Sequence, residues 1–318
     1  MYNRVCCVDS DYCLFLYLLY SSEEEIKNTF FFFSDNIPES VREYFRNDSY
    51  FFPIKGNNLY KVEFKQILIH LFCKKRWPFL SNSTFWGMPY AGLSCEIIGG
   101  NDLNMIEEGF EHMGLSLIRN RKFVWLRKIL HGPLYDSFSF NKSPIKRIVL
   151  TRDLEHPLPS HITKEIVNIN NLWSKSFNRN LILESHGINL QELDSLRKCK
   201  YLLVSQTFSE DGLMTVLEEI ELYKRLLGDI DVSLLCIKPH PRERLKNYSN
   251  IFPGAVVFRK KVPVQIFNLE KIVFNKVYTI CSTGASLFTD NSEVVFGGTK
   301  CHQALIDKFG EISGILNK

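Results

Sequence analysis

The sequence lacks a long hydrophobic run, paired cysteines and a strong charge of either sign, and each absence narrows what the chain can be. The apolar stretch Leu14–Leu19 is too short to span a bilayer, which takes about 20 apolar residues. No secretory leader is read at the start either, because Val5–Val8 already reads as a strand. The nine cysteines contain no CxxC pair and many stand in apolar runs, which implies reduced, buried thiols and a cytoplasmic protein. A formal net charge of +4 is too mild to argue for nucleic acid, and no nucleic-acid partner is expected, but it suits an acidic substrate or an anionic membrane face. The Walker GxxxxGKS, a GxGxxG after the first strand, HExxH and GxSxG are all missing. Metal-independent chemistry is therefore expected, with no cofactor.

What is present is an ordinary globular composition, 45% hydrophobic and 23% charged over 318 residues. At roughly 150 residues per domain that length points to two domains. Strand-like runs at Arg4–Val8, Thr29–Phe33, Tyr50–Ile54, Cys95–Ile98 and Met105–Ile106 alternate with helical stretches such as Ser40–Phe45 and Tyr60–Cys73. That alternation predicts parallel βαβ units. In Tyr60–Cys73 the residues Val62, Ile67, Leu68, Leu71 and Phe72 recur near helical spacing, and Lys74, Lys75 and Arg76 close the last turn as the helix dipole prefers. Proline and polar residues then mark a crossing between Lys142 and Arg197. A second alternating unit follows, with strands at Tyr201–Val204, Val232–Ile237, Ala255–Phe258 and Val277–Ile280. The expected division is a first lobe over 1–195 and a second over 196–302, with a C-terminal helix over 303–316 packing back on the first.

The most informative segment is Cys236–Arg244, where an apolar run ends in Lys238-Pro239-His240-Pro241-Arg242-Glu243-Arg244. Proline fixes its own φ and keeps the preceding residue extended, so Lys238 and His240 are both held rigid at a strand end. Ligands of open α/β sheets gather at such carboxyl ends. Lys238, Arg242 and Arg244 then suit an anionic ligand, arginine especially a phosphate or carboxylate. The plainer reading is a loop with a structural histidine and solvated charges. The other His-Pro pair, His156-Pro157, has no strand before it and reads as a turn.

Three further strand ends carry chemistry. Glu107 and Glu108, released by Gly109, can leave one carboxyl with a raised pKa suited to a base, although adjacent glutamates usually sit on a surface. Ser205–Gly212 carries Glu210 and Asp211, for which an ordinary helix cap is the simpler reading. Cys281-Ser282-Thr283-Gly284-Ala285-Ser286 places hydroxyls and a glycine between strand and helix, where they make either a phosphate seat or a plain cap.

The order Glu107-Glu108-Gly109, His240-Pro241, Ser282-Thr283 resembles the bacterial sialyltransferases. Pro239-His240-Pro241-Arg242, followed later by Tyr278-Thr279-Ile280 and the serine motif, resembles glycosyltransferase family 52, the lipooligosaccharide and capsule sialyltransferases, in motif order over nearly the whole chain. The resemblance implies an α/β fold of GT-B architecture, two Rossmann-like lobes with the active site in the cleft between them. It further implies inverting, metal-free transfer of N-acetylneuraminic acid from CMP-sialic acid to a galactose-ended glycan. His240 would be the acid or electrostatic stabiliser of the departing CMP phosphate, bound also by Ser282 and Thr283. Lys238, Pro241, Arg242, Gly284 and Gln265 would complete the donor site, Gln265 standing where relatives often hold the ribose with glutamate. The base would be Asp211 by the family pattern, with Glu210 as its neighbour, or Glu107 or Glu108 by that of related families. Loops Ser81–Gly92 and Phe110–Asn120 would shape the acceptor pocket. A transferase with another cytidine leaving group, of Kdo or CDP-glycerol type, and a silent nucleotide-binding subunit are the other readings. Some relatives carry an N-terminal anchor that this sequence lacks, so membrane contact would be peripheral, through Lys74, Lys75 and Arg76; a homodimer is also compatible.

Overall fold

Short apolar runs bounded by polar turns become strands because each can be covered on both faces, and two parallel sheets result. The structure, a computed structural model, describes residues 2–54, 59–89, 93–107, 124–132, 144–153, 158–174, 177–244 and 246–313. It divides into two compact units, Met1–Gly187 and Ile188–Lys318, whereas the sequence reading put the division after residue 195.

The first unit contains β1 (Arg4–Val8), β2 (Thr29–Phe33), β3 (Ser49–Phe51), β4 (Thr84–Gly87), β5 (Leu103–Ile106), β6 (Ile145–Leu150) and β7 (Thr163–Ile166). They pair in parallel in the order β3-β2-β1-β4-β5-β6-β7, the doubly wound order with a seventh strand added. All of β2 is buried, so its four phenylalanines fill the core as their composition implied. The helix Asp11–Tyr20 begins at Ser10, whose hydroxyl accepts the Cys13 N–H, and is buried from Cys13 to Leu19. A helix apolar all round has to be covered this way. Gly87 ends β4 at φ +112°, where a Cβ would lie 2.0 Å from the Cys7 carbonyl oxygen, so only glycine lets β4 close against β1.

Two sequence expectations in this unit give way. Cys95–Ile98, read as a strand, lies in the helix Ser94–Ile98, ended by Gly99 at φ +59°. Its buried Glu96 meets buried His131 at 2.8 Å, a pairing that a strand reading of four residues could not anticipate. In the helix Leu59–Arg76 the core-facing residues are Val62, Ile69 and Cys73, whereas Leu68, Leu71 and Phe72 are exposed.

The second unit contains β8 (Tyr201–Val204), β9 (Leu235–Lys238), β10 (Val256–Val257), β11 (Lys276–Thr279) and β12 (Glu293–Phe296), all parallel in the order β10-β9-β8-β11-β12. Leu203, Phe208, Leu222, Ile237 and Ile280 build its core. The last described helix covers Gln303–Phe309, shorter than the expected 303–316, and its fully buried Leu305 belongs to this same cluster.

Candidate active site

In the second sheet the strand order reverses between β8 and β11, and a crevice at the carboxyl ends of such strands is the usual ligand seat. Three of the sequence-predicted segments leave the sheet at this edge: Ser205–Gly212 after β8, Pro239–Arg242 after β9 and Ser282–Gly284 after β11.

The His240 carbonyl accepts the Glu243 N–H at 2.9 Å, closing a turn in which Pro241 is the second residue. The His240 N–H donates to Glu243 Oε1 at 3.0 Å and faces Ser205 Oγ at 3.3 Å. On the ring, Nδ1 accepts the Arg242 N–H at 3.2 Å. That bond assigns the neutral ring its proton at Nε2. Burial, then the Arg242 and Lys238 charges, lower the His240 pKa to about 4 against the weaker pull of Asp211 and Glu210. His240 is thus a neutral imidazole carrying a proton on Nε2, fixed by backbone bonds on its other side.

Arg242 grips Asp211 with both guanidinium nitrogens, at 2.8 Å to Oδ1 and 3.2 Å to Oδ2. The Thr207 hydroxyl donates to Asp211 Oδ2 at 2.7 Å and accepts from Arg242 at 3.0 Å. Burial alone would raise the Asp211 pKa, but the bonds from Arg242 and Thr207 outweigh it and hold the carboxyl below its ordinary value. Asp211 therefore shares a site with the His-Pro turn. Lys238 is placed differently: it is buried and turns its ammonium to the carbonyls of Lys260, at 3.1 Å, and Pro239, at 3.4 Å.

Beneath the turn lies a buried polar network that sequence reasoning missed. Lys246 Nζ stands 2.9 Å from Glu210 Oε2, 2.9 Å from Glu219 Oε2 and 3.7 Å from Glu243 Oε2. Tyr223 donates to Glu219 at 2.9 Å, Tyr248 donates to Glu243 at 2.8 Å, and Ser205 donates to Glu243 as well. Burial raises the Glu243 pKa against the opposing bonds of these partners. In the sequence Glu243 reads only as part of the His-Pro segment, and Lys246 is not singled out. The available signal was Glu219, which recurs with Leu222 and Tyr223 at the spacing of the buried face of the helix Val216–Leu227.

The serine motif is held from below, where the Ser282 N–H donates to Thr279 Oγ1 at 3.1 Å. Thr283 opens a short 3-10 helix, Thr283–Phe288. A Cβ on Gly284 would lie 3.2 Å from Val264 Cγ1, and Asn268 bonds the Leu287 carbonyl at 2.6 Å, so the serine motif packs on the turn and helix that present Gln265. The structure thus ties His240, Arg242 and Asp211 into one cluster and sets the Ser282–Gly284 segment against the helix that begins at Gln265, on the same unit.

In the first unit Glu107 follows β5 and is buried, its Oε2 accepting the Thr151 N–H at 2.6 Å and the Thr151 hydroxyl at 2.8 Å. Burial raises its pKa, the Thr151 bonds and the Arg152 charge opposing. Glu108, Phe110–Asn120 and the His156-Pro157 pair lie outside the described residues. Among the described residues no group of three or more His, Cys, Asp or Glu is arranged to hold a metal ion.

Two Rossmann-type parallel sheets, the second with the His-Pro turn leaving the strand next to its switch point, have the architecture of the GT-B class. The chain belongs to glycosyltransferase family 52, whose family model matches residues 132–305. An uncharacterised protein of Haemophilus influenzae is 30% identical over 305 residues, 94% of this chain and 95% of that one. Among solved structures, a 2,6-sialyltransferase of Photobacterium sp. JT-ISH-224, solved with the donor product CMP and the acceptor lactose, aligns with a TM-score of 0.59 at 12% identity, covering 92% of this chain and 71% of that one. An alpha-2,3-sialyltransferase of Photobacterium phosphoreum aligns at 0.51 with 12% identity, covering 97% and 94%. The sialyltransferase of Photobacterium damsela aligns at 0.50 with 13% identity, covering 92% and 74%. At these identities the likeness is one of fold.

Proposed function

We propose that this glycosyltransferase is a sialyltransferase that moves N-acetylneuraminic acid from CMP-sialic acid to the terminal galactose of a bacterial surface glycan, lipooligosaccharide or capsule, at the cytoplasmic face of the inner membrane. Family membership and the sialyltransferase folds support the reaction class. The observation that carries the chemistry is the His240 ring, whose Nε2–H is left to donate because Nδ1 is committed to the Arg242 N–H.

In the proposed reaction an acceptor hydroxyl oxygen attacks the anomeric carbon of sialic acid, and the bond from that carbon to the CMP phosphate oxygen breaks on the opposite face. The configuration inverts. Charge growing on the departing phosphate is met by the His240 Nε2–H, by Arg242 and by the Ser282–Gly284 segment, so no metal is required. The acceptor proton goes to Asp211. Its present partner explains how: when Arg242 turns to the donor phosphate, Asp211 loses the bond and the charge of Arg242 that lower its pKa, and the carboxyl moves back up, with Thr207 still opposing burial. Donor binding thereby frees the base. Gln265 would reach the nucleotide ribose from the helix packed on the serine motif.

The test is a donor and acceptor screen with linkage analysis of the product. CMP release that depends on a galactose-ended acceptor is expected with CMP-sialic acid. Turnover of CMP-Kdo or CDP-glycerol in its place would overturn the donor assignment.

A further inference from the structure

The helix Leu59–Arg76 carries apolar residues on two faces, and one of the two is turned away from the core. Val62, Ile69 and Cys73 face inward, whereas Tyr60, Phe64 and Leu71, separated by four and seven residues, share the opposite face. Phe64 is 61% and Leu71 62% exposed. The helix Val124–His131 packs beside it and adds Trp125, 65% exposed, and Ile129, four residues on and 63% exposed. Soluble surfaces scatter such side chains singly; several exposed on each of two helices packed side by side mark an interaction surface.

The charges flanking the face select its partner. Lys61, Lys65, Lys74, Lys75 and Lys128 are all exposed on these two helices, and Arg76 lies over the rings of Tyr50 and Trp77. The acidic side chain on the exposed flank of the longer helix is Glu63, which lies 3.6 Å from His131. A second copy docking this face on itself would oppose lysine to lysine. An anionic lipid surface complements the same lysines, accepts Phe64, Leu71 and Ile129 into its acyl boundary, and suits the amphipathic rings of Tyr60 and Trp125 at headgroup level. We infer that the helices Leu59–Arg76 and Val124–His131 form an interfacial docking surface for an anionic phospholipid membrane. The inference goes beyond the donor chemistry and does not depend on it.

The experiment is co-sedimentation of the full chain with vesicles of phosphatidylglycerol and phosphatidylethanolamine, against vesicles of phosphatidylcholine alone. Binding is expected to the anionic vesicles only, and to weaken with added salt. Each cation removed near such a surface weakens partition by roughly fivefold, so K74E/K75E should lose binding more than tenfold. Phe64→Glu with Leu71→Glu should lose it too. Both double variants, being altered only at exposed positions, should keep wild-type turnover of a soluble acceptor. Wild-type protein left in the supernatant with anionic vesicles would overturn the inference, as would variants that bind like the wild type. A dimer that Phe64→Glu with Leu71→Glu converts to a monomer, with vesicle binding unchanged, would assign the face to a second copy instead. The vesicle readout uses neither donor nor acceptor, so its failure is distinct from failure of the proposed reaction.

Discussion

The Glu243 carboxylate accepts the backbone N–H of His240 at 3.0 Å while the Glu243 N–H donates to the His240 carbonyl at 2.9 Å. The two residues lock each other, and Glu243 is a positioning residue for the histidine. Glu243→Ala should lower kcat/KM about 100-fold, the cost of a misplacement of about 1 Å. The loss should fall on kcat. Glu243→Gln keeps an acceptor oxygen for the His240 N–H and should stay within about tenfold of wild type by the same geometric argument. Steady-state kinetics with donor varied would separate kcat from KM; equal damage in both variants would refute the positioning role.

The Asp211–Arg242 pair makes two opposite demands testable. If Asp211 takes the acceptor proton, Asp211→Asn should cut kcat by about 10²–10⁴-fold, the range of general base catalysis. CMP affinity should hold or improve, because Arg242 is no longer claimed by the carboxylate. Arg242→Ala should do the reverse first, weakening CMP binding measured by calorimetry before it affects the proton transfer. An Asp211→Asn enzyme with near-normal kcat would move the base elsewhere, and Glu107, buried with a raised pKa, is then the residue to replace.

The alternation of strands and helices was legible where the parallel strands are apolar: Arg4–Val8, Thr29–Phe33 and Tyr201–Val204 match β1, β2 and β8 residue for residue, whereas the polar, exposed β7 gave no such signal. The His-Pro turn was legible because two prolines fix a backbone without help from distant residues. Distant partners were what the sequence could not display. Lys246 reads as one more cation after Arg242 and Arg244 until Glu219, 27 residues earlier, is brought to its ammonium by the sheet. Asp211 reads as a helix cap or a base, and its grip on Arg242 spans 31 residues. The helix Leu59–Arg76 misled for another reason. Its apolar residues lie on two faces, and periodicity alone does not say which of the two meets protein.

The depressed pKa of His240 predicts a stability effect with a definite sign. The folded value is about 4 and the ordinary value 6.5, so between these pH values the unfolded chain binds the proton and the folded chain does not. Stability from this residue is complete above about pH 6.5 and is lost as pH falls towards 4, by on the order of 3 kcal/mol. Urea unfolding at neutral pH and at mildly acidic pH should show the decline in the wild type. In His240→Gln, which cannot titrate, the decline should be smaller by that amount; an unchanged decline would place a protonated histidine in the folded chain.

Lys246 provides the sharpest stability prediction because its ammonium joins three carboxylates, Glu210, Glu219 and Glu243. Burial pulls its pKa down, but the glutamates outweigh that and raise it, so the lysine stays charged. Lys246→Met keeps an unbranched side chain one atom shorter and removes the ammonium from between the carboxylates. Removing one partner from a buried ionic group costs about 3–5 kcal/mol, and that loss should appear in urea unfolding at neutral pH. Adding Glu219→Gln to Lys246→Met removes the carboxylate whose side chain is wholly buried and keeps an acceptor for the Tyr223 hydroxyl. The double variant should therefore recover part of the lost stability. If the double variant is less stable than Lys246→Met, the network is held by its hydrogen bonds rather than by the balance of charge, and the ion pair has been given the wrong weight.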